Sequence, residues 1–210
     1  MGRIEEAEIK AKQAVDIYEK LAKAKPERFE PDRAMSLSNY ASHLSNLGHV
    51  EEAEIKAIQA VDIYEKLAKA KPEQFEYSFL MSKFFATQCS WLADTQPLVI
   101  DFVNTHHTTP RKKIELGIQE SFLRAFATNE QSLIHEAIEK AEACWAKMDT
   151  TQKRSNIETR LLLAGLTESK QIASSFICNW RESLAIYQAQ RNGRLPWWML
   201  EIASRAGFKL

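Results

Sequence analysis

From residue 4 to residue 30, apolar positions recur at three- and four-residue steps: Ala7, Ala11, Ala14, Val15, Tyr18, Leu21 and Ala22. That spacing gathers them on one face of an α-helix. Glu5, Glu6, Glu8, Lys10, Asp16, Glu19 and Lys20 surround the face, several of them three or four apart with opposite sign, a modest stabilising term. Acidic residues crowd the first turns, and Lys23 and Lys25 sit in the last, as the helix dipole prefers. The pattern then returns. Residues 50–76 repeat residues 4–30 at a period of 46, with three differences only: Ile4/Val50, Lys12/Ile58 and Arg28/Gln74. Pro26 and Pro72 are expected to end the two helices.

Between the copies a second helix type is expected, roughly over 33–47, with Ala34, Leu37, Ala41, Leu44 and Leu47 on one face. Pro31 and Asp32 would begin it and Gly48 would end it. One repeat is thus a helical hairpin, and a hairpin cannot bury its apolar face unless a neighbour stacks on it.

The segment AMSLSNYASHLSNLGHVEEAEIKAIQAVDIYEKLAKAKPEQFE resembles the long-period tetratricopeptide repeat common in bacterial signalling proteins. Leu37 and Leu44 match the large residues of that family's first helix, Ala41 its small crossing residue and Gly48 its turn glycine. Ala53, Ala57 and Ala60 match the second helix. The resemblance covers about residues 2–82. It implies an all-α fold with a short solenoid. It also implies a partner groove lined by the first helix, where Ser38, Asn39, Ser42, Ser45 and Asn46 fall. The carboxylate-binding form of such grooves takes Lys, Arg and Asn from successive repeats, and only Asn39 matches it. Two departures stand out. Gly2 matches the turn glycine, so the first hairpin is expected to lack its first helix; and Asp94 stands where the turn glycine would recur.

The repeat region is expected to span 1–97, closed by a helix over 77–96, and a helical C-terminal domain to span 98–210. In the latter, residues 98–110 read as a short helix or a strand. Ile114, Ile118, Phe122 and Phe126 mark a helix over 111–127, and Asn129 can cap another that runs to about Met148 with Trp145 inward. Helices near 150–165 and 168–190 follow, then a short one holding Trp197, Trp198, Leu200 and Ile202. The whole is a bundle or an irregular continuation of the solenoid.

Composition agrees with helices. Six Gly and six Pro in 210 residues are too few for the turns of an all-β fold. Lys and Arg balance Asp and Glu at 28 each, which gives no global pull toward nucleic acid or an anionic membrane. Residues 1–98 hold 13 basic and 16 acidic residues, leaving 15 and 12 for 99–210, so the second half is slightly basic. No apolar run approaches the roughly 18 residues of a membrane span. The charged start lacks a signal-peptide core, and Glu6 breaks the myristoylation pattern. Cys89, Cys144 and Cys178 are odd in number and far apart, as reduced, packed thiols of a cytoplasmic protein would be.

No nucleophile elbow, phosphate loop or dinucleotide fingerprint is present, so neither an enzyme nor a cofactor is expected. His106 and His107 near Asp101 lack metal-ligand spacing. Glu136, Glu139 and Glu142, around His135 and beside Lys140, read as a solvated helix face rather than acid–base machinery. Arg111, Lys112 and Lys113, or Arg191, Arg194 and Arg205 beside Trp197 and Trp198, could hold a nucleic-acid backbone; a terminal Trp pair more often docks on a core.

The leading expectation is a protein-interaction module, an adaptor or sensor that binds a partner or itself. Family analogy would place it in signalling, with defence as an example. A nucleic-acid-binding accessory protein, and an enzyme with its site in 98–210, are the alternatives. The half-repeat would leave one flank of the first helix uncovered, an interface by its apolar surface. The Lys12/Ile58 difference is expected to mark that flank, with Lys12 in solvent and Ile58 buried.

Overall fold

The computed structural model describes residues 2–95, 131–147, 149, 151, 184–185, 187–189 and 195–205. Helix makes up 91% of the described structure and no strand occurs in it, so the protein is all-α, as the periodicities require. The chain divides into two compact units, Met1–Leu116 and Gly117–Leu210. The expected boundary at 97/98 lies outside the described residues, as do the elements expected over 98–110 and 111–127 and most of those over 150–190.

The first unit contains α1 (Gly2–Ala24), α2 (Pro26–Leu47), α3 (Val50–Ala70) and α4 (Pro72–Leu92). Each packs chiefly on its neighbours in the chain: α1 on α2, α2 on α3, α3 on α4. The core runs through all four. Ala34, Leu37, Ala41 and Leu44 of α2 are fully buried with Ala53 and Ala60 of α3, joined by Val15 of α1 and by Ala86 and Cys89 of α4. Small residues at Ala34, Ala41, Ala53, Ala57 and Ala60 let the backbones approach, and the leucines fill the space between them.

The second helix begins at Pro26, seven residues before the start expected at 33. The prolines both stop one helix and start the next. A residue before proline is driven out of the α region, and Lys25 and Lys71 take near-identical extended conformations, φ −144 ψ 76 and φ −143 ψ 74. Proline itself suits the first helical position, where no N–H partner is needed. One-residue connections therefore turn the chain at both places. Pro31 lies inside α2, where its missing N–H leaves the Glu27 carbonyl without a helical donor.

The 46-residue register continues into α4, where the apolar pattern fades. Ser36 and Ser82 are both buried, and each hydroxyl donates to the carbonyl three residues back, Arg33 and Phe79, at 2.8 Å. The helix ends match too. The amide of His49 donates to the Leu44 carbonyl at 2.9 Å and that of Gly48 to Ser45 at 3.2 Å. Forty-six residues on, Thr95 donates to Ser90 at 2.9 Å and Asp94 to Trp91 at 3.3 Å. This paired arrangement needs a left-handed residue at the turn. Gly48 supplies it at φ 89, and Asp94 supplies it at φ 56. Aspartate is among the few residues other than glycine that enter that region readily, so Asp94 makes the turn with no glycine present.

The second unit contributes α5 (Gln131–Lys147) and α6 (Trp197–Arg205). Both match expected helices. Trp145 of α5, and Trp198 and Met199 of α6, are buried.

Ile17 and Ile63 are the same residue in the same local sequence, yet Ile17 is 56% exposed and Ile63 is 8% exposed. Ile63→Ala should therefore destabilise the protein by about 2–4 kcal/mol and Ile17→Ala by under about 0.5 kcal/mol. Urea melts of the two variants check this difference.

Candidate partner-binding surface

The polar stretch of α2 does not present one uniform surface. Asn39 is exposed, Ser38, Ser42 and Asn46 are half-buried, and Ser45 is buried with no hydrogen-bond partner for its Oγ. The Ser38 hydroxyl donates back to the Ala34 carbonyl at 3.1 Å, so it is already engaged within its own helix. In this stretch α2 offers solvent Asn39, one turn from Met35, which is 49% exposed.

A second surface lies on α1. Two hydrogen bonds show which side of α3 meets which neighbour. Tyr40 of α2 donates to Glu52 at 3.2 Å, and Ser90 of α4 donates to Glu54 at 2.7 Å, joined there by the Thr95 hydroxyl. At about 3.6 residues per turn, Ile63 stands three turns above Glu52, on the α2 side. Val61 stands two turns above Glu54, on the α4 side. In α1 the equivalents are Glu6 with Ile17 and Glu8 with Val15. Val15 is buried at 5% exposure, and Glu8 lies close enough to Tyr40 to act on its hydroxyl. The Glu8 side of α1 thus meets α2, as the Glu54 side of α3 meets α4. The Glu6 side stays open: Glu6 and Lys10 are exposed, Ile17 is 56% and Leu21 36% exposed, and Ala14 is half-buried. On α3 the corresponding Ala60 is fully buried and Leu67 packs on the core.

The open flank expected on the first helix is therefore present, but Lys12 and Ile58 do not mark it. Lys12 is exposed as expected, whereas Ile58 is half-buried rather than buried. Ile17/Ile63 and Leu21/Leu67 report the flank, and they are identical between the copies. Sequence comparison of the copies is blind to them.

Burial raises three titratable groups in the first unit. The Tyr40 hydroxyl is pushed up to about 12, first by burial and then by Glu52 and its hydrogen bond. Burial, with a smaller push from Asp32, raises Tyr64. The Cys89 thiol, buried and with Glu54 near, is raised to about 12; such a thiol is a poor nucleophile. On α5, His135, Glu136 and Glu139 are exposed and Glu142 is half-buried, while Lys140 pairs with Glu136 at 2.6 Å. His135, Glu136 and Glu139 thus form a solvated helix face, whereas Oε1 of Glu142 is shielded from solvent. No group of three His, Cys, Asp or Glu among the described residues could hold a metal ion.

Arg111, Lys112, Lys113, Arg191 and Arg194, along with Asp101, His106 and His107, lie outside the described residues. Trp198 is buried, so its ring is not a platform for stacking bases; Trp197 is half-buried. Among the described residues, no helix is long and apolar enough to cross a membrane. No family model matches the chain, and no curated protein or solved structure matches it either.

Tyr40 links folding to alkaline pH. The folded protein holds this proton up to about pH 12, whereas a free tyrosine loses it near 10. Above pH 10 the unfolded state therefore binds fewer protons, and stability falls as pH rises from about 10 to about 12. Tyr40→Phe should flatten part of that fall, seen as a smaller change in urea midpoint between these pH values than in the wild type. With Cys144→Ser and Cys178→Ser as background, Cys89 should resist Ellman's reagent at pH 8 until the protein is unfolded.

Proposed function

We propose that the protein is a protein-interaction module: a short tetratricopeptide-like solenoid that binds a partner through its helical repeat surface, followed by a helical C-terminal region. The observation that carries this reading is the open apolar flank of α1, where Ile17 and Leu21 are 56% and 36% exposed although the same residues are packed in α3. Contiguous exposed apolar surface rimmed by polar residues marks an interaction site, here with Glu6, Lys10 and Gln13 as the rim. Asn39 and Met35 of α2 add a second exposed contact. A sensor or adaptor role in the cytoplasm follows from the resemblance of the repeats. The buried free thiol of Cys89 accords with a reducing compartment. Catalysis has no support in a lone raised thiol and a solvated acidic face.

The test is comparative capture from the source cell, using the full chain and its Ile17→Glu, Leu21→Glu double variant as baits. The far-ultraviolet circular dichroism of the two should coincide, since both positions are on the open flank. A defined protein should be enriched by the wild type and lost, by about tenfold or more, with the variant. Identical recoveries from the two baits would count against the reading.

A further inference from the structure

We draw no further inference here: the strongest candidate, the surface pair of exposed isoleucines Ile9 on α1 and Ile55 on α3 that recurs at the 46-residue period, carries nothing because nothing in the structure shows what covers it.

Discussion

The packing of α2 between α1 and α3 is the contact on which the rest of the first unit depends. Ala34, Leu37, Ala41 and Leu44 reach zero exposure because two helices, not one, lie against them. A leucine buried in this way is worth roughly 1.5–3 kcal/mol, and the alanines let both neighbours come close enough to collect it. Most helical stability in a folded protein comes from packing an apolar face rather than from propensity, and α2 gives both neighbours such a face. The short connections matter here. One residue at Lys25 and two at Gly48 and His49 leave little freedom for alternative arrangements, so little chain entropy opposes the antiparallel packing.

The helices themselves were legible in the sequence because their periodicity is strong and repeated. Their starts were less so. Proline reads as a breaker, and at Pro26 it does break the preceding helix; the same ring then serves as a first helical residue, which pulls the start of α2 seven residues forward of the place that Pro31 suggested. The turn at Asp94 was hidden for a different reason. The repeat pattern calls for glycine there, whereas the backbone requires only a residue that tolerates positive φ, and aspartate does.

The candidate surface was half legible. The 46-residue period gives each copy the same apolar face, and the structure packs that face at Ile63 while leaving Ile17 and Leu21 exposed. The one position of this helix at which residues 6–24 and 52–70 differ, 58, is half-buried, whereas position 63, identical between the copies, is buried. Burial belongs to the environment and not to the residue. Two copies that must each still pack on the following helix keep the same residues, whatever covers their other side. The polar positions of α2 show the converse. Ser38, Ser42 and Asn46 look like a groove lining when read as letters, but a serine in a helix interior can spend its hydroxyl on the carbonyl a turn back, as Ser38 does.

Near-identity between α1 and α3 has an energetic consequence for any partner. The flank of α1 keeps the sequence that is optimal against α2, including an isoleucine that gains nothing from solvent. Exposed isoleucines are ordinary when single. Here Ile17 and Leu21 lie one turn apart on one face and continue through Ala14, so their exposure is collective. A partner docking there would find side chains already held by α1, whose other face is fixed on α2, and would have to order only itself. Affinity gained through such preorganisation is usually larger than buried area alone would give. The charged rim then sets orientation: Glu6 at one end rewards a donor placed as Tyr40 is placed on α2, and Lys10, one turn further on, disfavours a second positive charge across from it. Apolar fit and rim charge together would select the orientation of the partner, which an apolar strip cannot fix by itself.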